Sequence, residues 1–387
     1  FDFAKRQMVH MLENIPQGEA KMPHSINGKG NTSCRSIYWW TSGFFPGILW
    51  YINEYTGDKT FESFAKKWTE KLEPVKTFKG NHDIGFMMYC SFGNAYRLTQ
   101  NEKYKDILIQ SAYSLATRFN PQVGTIKSWD SWRSWENKHV FKYPVIIDNM
   151  MNLELLFWAS KATGDPSFRN IAISHAEKTM KYQIRKDGSS YHLACYDPET
   201  GNFIKGETSQ GYSNESTWSR GQGWGIYGFT LCYRETKDPR FLKTAQRMAD
   251  YYINHPNLPS DKIPWWDFDT HRPGFIPGKF SKTNKYIQNY RDASAASVTA
   301  SALLELSSYV KDDKKKIYTE TALQILTSLS SPEYRAEEGK NGNFILKHST
   351  GAIPHGSEVD VPLIYADYYF LEALLRYNRM INNKPIL

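Results

Sequence analysis

Apolar positions along the chain follow two alternating patterns. In one, they fall on nearly every side of a helix. Ile146 to Ala159 reads Ile-Ile-Asp-Asn-Met-Met-Asn-Leu-Glu-Leu-Leu-Phe-Trp-Ala, and Gly225–Tyr233 and Ala293–Leu306 are comparably rich in apolar and small residues. Helices apolar all round are buried helices. In the other pattern a single stripe recurs at helical spacing. Phe61, Phe64, Trp68 and Leu72 form one stripe, and Tyr104, Ile107, Leu108, Ser111 and Leu115 a second. Phe168, Ala172, His175, Ala176 and Thr179 form a third, and Phe241, Ala245, Met248 and Tyr252 a fourth. One-sided stripes mark an outer layer.

A recurring junction separates the two kinds. Thr56-Gly57-Asp58-Lys59-Thr60-Phe61 returns as Thr99-Gln100-Asn101-Glu102-Lys103-Tyr104 and as Thr163-Gly164-Asp165-Pro166-Ser167-Phe168. It returns again as Thr236-Lys237-Asp238-Pro239-Arg240-Phe241, and more loosely as Val310-Lys311-Asp312-Asp313-Lys314. Gly or a polar residue closes one helix, Asp or Asn caps the next, and Pro is accepted just inside it. About twelve helices result. The helix at Phe1–Leu12 opens the set and Leu363–Ile381 ends it. Alternating inner and outer helices predict an all-α fold, an (α/α)6 barrel. The open alternative is a solenoid of helical pairs, but no polar capping repeat is visible and the length suits one ring. No Pro/Gly/Ser linker or composition break divides residues 1–387, so a single catalytic domain is expected.

The repeat also predicts where a site lies. If the junctions share one end of the barrel, every inner helix starts at the other. Counting back 17 to 20 residues from each junction Asp or Asn reaches Thr41, Asp83, Asp148, Arg220 and Asp292. Long loops at 120–143, 185–219, 256–291 and 330–361 open on the same side. They carry Trp129, Trp132, Trp135, His192, Trp265, Trp266, His271, His348 and His355. Taken alone, an Asp before an apolar helix is most often an N-cap, and a loop Trp or a lone His is most often packing. Their convergence on one mouth is what makes a candidate pocket. Helix N-termini meeting there favour a bound anion. Two carboxylates, Asp83 and Asp148, would be driven apart in pKa, one ionised and one protonated near neutral pH.

The net charge of +8, from 48 basic and 40 acidic residues, suggests an acidic partner or a merely basic surface. No basic run resembles a nucleic-acid arm; Lys314-Lys315-Lys316 reads as a solvated face. Four cysteines lack Cys-x-x-Cys spacing, and Cys90 and Cys232 read as core thiols. Zinc spacing, a Walker loop, a dinucleotide fingerprint and a nucleophile elbow are all missing. No transmembrane segment is expected. The first residue is Phe1, not Met, which suggests export, with a periplasmic location first and a cytoplasmic one as the alternative.

His82-Asp83-Ile84-Gly85-Phe86, Asp148-Asn149-Met150-Met151-Asn152-Leu153 and Arg220-Gly221-Gln222-Gly223-Trp224-Gly225 resemble the unsaturated glucuronyl hydrolases of glycoside hydrolase family 88. Trp40-Thr41-Ser42-Gly43-Phe44, Gln210-Gly211-Tyr212 and Asp367-Tyr368-Tyr369-Phe370-Leu371-Glu372-Ala373-Leu374 extend the resemblance in order over almost the whole chain. One departure is Gly223, where the family often has Ala. The resemblance implies that Asp148 is the proton donor and Asp83 its partner carboxylate. It implies that His192, Gln210, Arg220 and Trp224 line an unsaturated sugar and its carboxylate, that Trp40 and Trp218 stack, and that His82 accompanies its motif. The implied substrate is an acidic oligosaccharide released by a polysaccharide lyase, with a C4=C5 double bond in its terminal uronic acid. No metal or organic cofactor is implied. The positive charge would favour sulfated glycosaminoglycan disaccharides. Two rivals are a pectin-fragment hydrolase of the related family 105 and a protein that only binds acidic glycans. His348–Ser357 is the stretch where substrate preference would be encoded.

Overall fold

The computed structural model describes residues 1–15, 21–136, 138–282 and 290–386. Residues 137 and 283–289, in two of the expected long loops, lie outside the described residues. In chain order the helices are α1 (Asp2–Asn14), α2 (Phe44–Thr56), α3 (Lys59–Glu70), α4 (Ile84–Met88), α5 (Asn94–Thr99) and α6 (Glu102–Ala116). Then follow α7 (Asn149–Thr163), α8 (Pro166–Tyr182), α9 (Ser219–Thr236), α10 (Pro239–Asn254), α11 (Ala293–Ser307), α12 (Asp312–Ser330) and α13 (Ile364–Ile381). One π-helical turn, Tyr89–Gly93, joins α4 to α5, so the two act as one inner helix.

Six inner helices form the ring: α2, α4–α5, α7, α9, α11 and α13. Each packs on the next, and α13 returns to α2. The ring is therefore closed, and the solenoid alternative falls. The closing seam is polar as well as packed: Tyr51 Oη lies 2.8 Å from both the Tyr368 hydroxyl and Glu372 Oε2. All of α11 is buried, as its run of Ala, Ser and Leu requires. The outer stripes pack inward as expected, with Phe61, Trp68, Phe168, Phe241 and Met248 all buried. The first helix, α1, completes the outer layer by docking on the C-terminal segment, where Gln7 Nε2 donates to the Lys340 and Phe344 carbonyls at 3.0 and 2.9 Å.

Four of the five junctions share one geometry. Asp58, Asn101, Asp165 and Asp238 accept the N–H two residues on, at 2.8, 3.0, 2.8 and 2.8 Å. The residue before each is left-handed: Gly57, Gln100, Gly164 and Lys237 have φ of 71, 52, 76 and 58°. The fifth differs. Lys311 precedes α12, and no side-chain cap forms at its start. The loose copy keeps the chain reversal and loses the hydrogen bond.

The long loops at the opposite mouth are not structureless. Among the described residues there are nine short strands, β1 (Lys21–Ile26) and β2 (Thr32–Ser36) between α1 and α2, and in or beside the long loops β3 (Phe119–Asn120), β4 (Thr125–Ile126), β5 (Trp132–Arg133), β6 (Val140–Phe141), β7 (Tyr143–Ile146), β8 (Leu193–Tyr196) and β9 (Phe203–Glu207). Strands β7, β8 and β9 make an antiparallel sheet, with Ile146 opposite Leu193 and Leu193 opposite Glu207. That register sets His192 beside the start of α7, where the Ile147 N–H donates to the His192 carbonyl at 2.9 Å.

Candidate active site

Asp83 and Asp148 stand immediately before α4 and α7, and neither side chain caps its helix. The reason is local. The Phe86 N–H of α4 is taken by Asn152 Oδ1 of α7 at 2.8 Å. At α7 the first amides turn back on the chain, Met150 to the Ile147 carbonyl and Met151 to that of Asp148, at 3.1 and 3.0 Å. Both carboxylates are thus released from capping. Gly85 holds the two helix starts together: a Cβ there would lie 2.4 Å from Asn152 Oδ1 and 2.6 Å from Asn152 Cα.

Burial and neighbours set the protons. Burial lifts the Asp148 carboxyl to about 7, against an opposing pull from Arg220. Burial lifts Asp83 well above the carboxylate range, and the charge of Asp148 adds to it. Asp148 thus titrates near neutrality, and Asp83 is shifted in the same direction. Burial lowers His82 to about 3, and it pushes His192 down too, helped by Arg220. Both imidazoles are neutral. His192 Nδ1 accepts the Ser209 N–H at 2.9 Å, so the ring proton sits on Nε2, 3.9 Å from Asp148 Oδ1. His82 Nε2 lies 3.2 Å from Asp83 Oδ1. Among the described residues, Asp148 Oδ1, His192 Nε2, His82 Nε2 and Trp224 Nε1 are buried without a hydrogen-bond partner. Unpaired buried polar atoms are costly, and their clustering beside one cleft marks where a polar ligand would compensate them.

The cleft has a volume of about 460 Å³. Of the expected site residues, Trp40, Asp83, Gln210 and Arg220 line it directly. The other five stand around that lining. Asp148, its side chain 10% exposed, meets His192. Trp218 packs edge-on to His192 with ring centroids 4.6 Å apart and lies under the Arg220 guanidinium at 4.4 Å. Trp224 is fully buried between Phe86 and Tyr369, at 5.2 and 5.3 Å, so it supports the wall rather than forming it. His82 is likewise fully buried.

Arg220 is committed to protein acceptors. Its Nη1 donates to Asp292 Oδ2 at 2.9 Å and to the Thr350 carbonyl, and its Nη2 donates to Gln210 Oε1 and the Gly351 carbonyl at 2.9 and 2.8 Å. It thereby fixes Gln210 and the 350–351 backbone in the wall. Asp292, unlike the other two mouth aspartates, is a true cap, accepting the Ser294 and Ala295 N–H groups at 3.0 and 3.3 Å.

Several wall residues carried no separable signal in the sequence. Among the loop tryptophans only Trp129 and Trp132 reach the cleft, Trp132 held by its Nε1–H on Glu207 Oε2 at 2.6 Å. Trp266 is buried against Tyr212, and Trp265 packs against His271. His355 lines the cleft, whereas His348 pairs with Asp360 at 2.7 Å. Trp39, Ser209, Ser357, Glu358 and Tyr365 also line it.

A closed α/α ring with paired buried carboxylates, one titrating near neutrality, beside tryptophan walls is an arrangement suited to acid-catalysed cleavage of a carbohydrate. The chain belongs to Glycosyl Hydrolase Family 88, whose sequence profile matches residues 15–233. It is 46% identical over 343 residues to an unsaturated glucuronyl hydrolase of Formosa agariphila, covering 88% of this chain and 80% of the relative. It is 33% identical over 347 residues to an unsaturated chondroitin disaccharide hydrolase of Streptococcus pyogenes, covering 87% of this chain and 81% of the relative. Among solved structures, that of an unsaturated glucuronyl hydrolase specific for heparin superposes with a TM-score of 0.89 at 45% identity, over 98% of this chain and 97% of the other.

Proposed function

We propose that this glycoside hydrolase removes the 4,5-unsaturated glucuronyl residue from glycosaminoglycan disaccharides left by polysaccharide lyases, with residues 1–387 acting as one catalytic domain. The observation that carries the reading is Asp148: a buried carboxyl lifted to about 7, with an unpaired oxygen, beside a second carboxylate. The sugar's double bond and ring oxygen form a vinyl ether. Asp148 gives its proton to C4, and positive charge spreads over C5 and the ring oxygen. Water then adds at C5, its proton passing to the carboxylate Asp148 has become. The hemiketal so formed opens and releases the next sugar.

Asp83, which lines the cleft, is the partner carboxyl that faces the sugar while Asp148 cycles. Neutral His192 offers its unpartnered Nε2–H to the bound sugar, and Gln210 presents its amide N–H groups, its oxygen being held by Arg220. Trp40 supplies an apolar platform in the cleft. Names of the relatives support the substrate class, glucuronyl and chondroitin units for two and heparin for the third.

The test follows ultraviolet absorbance of the conjugated double bond, for the wild type and Asp148→Asn, on unsaturated disaccharides from heparin, chondroitin and pectin lyase digests. Loss with the wild type alone on the glycosaminoglycan fragments supports the activity and the acid. Loss on the pectin fragment alone assigns the chain to the pectin reaction. Binding without loss on any of them leaves a glycan-binding protein. Among the described residues no helix is long and apolar enough to cross a membrane. Our reading of the compartment is export to the periplasm, with the cytoplasm as the alternative, and cell fractionation decides it.

A further inference from the structure

The cleft wall holds a third carboxylate that the proposed reaction does not use. Glu358 closes a tight loop, where the Gly351 N–H donates to the Glu358 carbonyl at 2.7 Å and the Ala352 N–H to that of Ser357 at 2.9 Å. Its φ is +58°, a left-handed conformation uncommon for a residue other than glycine or asparagine. Strained backbone of this kind at a cleft points to a use for the side chain it aims.

The side chain is held from behind. His24, only 1% exposed, places Nε2 2.5 Å from Glu358 Oε1, and its Nδ1 lies 3.0 Å from Thr41 Oγ1. A carboxylate can only accept, so His24 Nε2 carries the proton. Among the described residues Glu358 Oε2 has no hydrogen-bond partner. The wall is cut back to make room for it: a Cβ on Gly351 would stand 2.3 Å from Oε2. Burial pushes the Glu358 carboxyl up, but His24, Arg220 and Arg35 outweigh it and hold it below the usual range. The cleft therefore presents a fixed negative charge with one oxygen open.

The charge around it decides what that oxygen can meet. The cationic residue among the described lining is Arg220, whose two Nη atoms are already bonded to Asp292, Gln210 and two carbonyls. Lys282 is felt elsewhere in the wall, at His355. The overall charge of +8 draws acidic sugars toward the protein, and Arg220, Arg35 and His24 are felt at Glu358, so what disfavours an anion there is direct contact with the carboxylate oxygen itself.

We infer that Glu358 is a specificity-determining residue: its open carboxylate oxygen accepts a hydrogen bond from a hydroxyl or ammonium group of the sugar and rejects a sulfate ester at that position. The inference rests on the unsaturated-disaccharide reading above and deepens it. A carboxylate gains from a donor and loses from an anion in a desolvated cleft, so one residue both selects and excludes.

The test measures kcat/KM at low salt for the wild type, Glu358→Gln and His24→Gln. The panel comprises unsaturated glycosaminoglycan disaccharides with no sulfate, with one sulfate at each available position, or with a free amine. Thermal melting confirms folding, and Glu358→Asn, at ease with the left-handed backbone, is the second variant. Losing a charged acceptor should lower activity on the unsulfated substrate about tenfold with Glu358→Gln, and lifting the repulsion should raise it about tenfold on at least one monosulfated substrate. His24→Gln should shift the same ratio in the same direction by less. A ratio that stays within about twofold for every monosulfated substrate, or a uniform loss across the panel, overturns the inference. A wild type that turns over none of the panel instead overturns the underlying activity. The two failures are distinct, because an idle Glu358 leaves wild-type turnover intact.

Discussion

The two mouths of the ring use the same residue in opposite ways. At the junction mouth Asp58, Asp165 and Asp238 each precede a helix, cap it, and have their carboxyls held below the usual range. For Asp165 the cause is the Ser167 amide; for Asp58 and Asp238 the first cause is a neighbouring Lys5 or Arg240, with the capped amide adding to it. At the cleft mouth Asp83 and Asp148 also precede helices, cap nothing, and are raised. Position before a helix does not decide the role. What frees a carboxylate is another group that satisfies the helix's amides, Asn152 for α4 and turning backbone carbonyls for α7. The chain spends hydrogen bonds on aspartates at the junction end and withholds them from Asp83 and Asp148 at the other, where Asp292 still caps α11.

Replacing the freed carboxyl should have the largest effect. Asp148→Asn should lower kcat about 1000-fold, within the range for a general acid. It should not destabilise the fold. Folding raises the Asp148 pKa, so its contribution to stability is complete at low pH and fades as pH rises through about 7. The asparagine variant escapes that loss. Its unfolding free energy should match the wild type's near pH 4 and exceed it near pH 8, by up to about 4 kcal/mol for the full shift, read as a higher melting temperature at pH 8 only. A variant that is both inactive and less stable at pH 8 would show that Asp148 is structural, like the junction aspartates.

Next comes the contact that holds the freed pair together. Gly85→Ala must push α4 from α7, because the new methyl group meets the backbone of Asn152. Overpacking of this kind costs about 1–3 kcal/mol. Displacing Asp83 relative to Asp148 should lower kcat by a further factor, on the order of 10 to 100, while KM changes less. Urea denaturation and initial rates read the two effects separately. Unchanged rates would mean that the spacing of the carboxyls is not what the glycine protects.

The pH profile tests the pair more finely. With Asp148 as acid, kcat/KM should fall about tenfold per pH unit above the group's pKa near 7. Burial and Arg220 set that value. Asp83→Asn should therefore lower the rate without moving the midpoint. A midpoint lowered by a unit or more would show that Asp83 tunes Asp148 by its charge.

Much of this was legible in the sequence because it is local. Capping chemistry in a recurring motif marked the junctions, and the junctions located both mouths and the two aspartates. Stripe against all-round patterning separated outer from inner helices. What stayed hidden depends on partners far apart in the chain. Glu358 is 334 positions from the His24 that holds it. Arg220 matched a sugar-lining position, yet its guanidinium is anchored by backbone 130 and 131 residues away. Trp224 matched another, but its place between Phe86 and Tyr369 is set by two other inner helices. The loop strands were missed because pieces as short as Trp132–Arg133 leave no alternation to detect.

The smallest prediction concerns the junction mouth itself. Asp165→Ala removes the acceptor of the Ser167 N–H and touches no ion pair in the structure. Loss of an N-cap costs about 1 kcal/mol. The Thr163 hydroxyl still bonds the Ala159 carbonyl at 2.7 Å and Gly164 still supplies the left-handed turn, so the hairpin should keep its shape. Activity should be unchanged, since α8 begins at the opposite end from the cleft. Asp238→Ala should cost somewhat more, because it also leaves Arg240 without the carboxylate it bonds at 2.9 and 3.1 Å. No such cost is expected for Asp312→Ala, at the fifth junction, where no side chain caps the helix. The ranking Asp238, Asp165, Asp312 in urea midpoints, with kcat/KM constant across all three, would place capping at one mouth and catalysis at the other. A fall in kcat/KM for Asp165→Ala would couple the two ends through α7, the inner helix that runs between Asp148 and this junction.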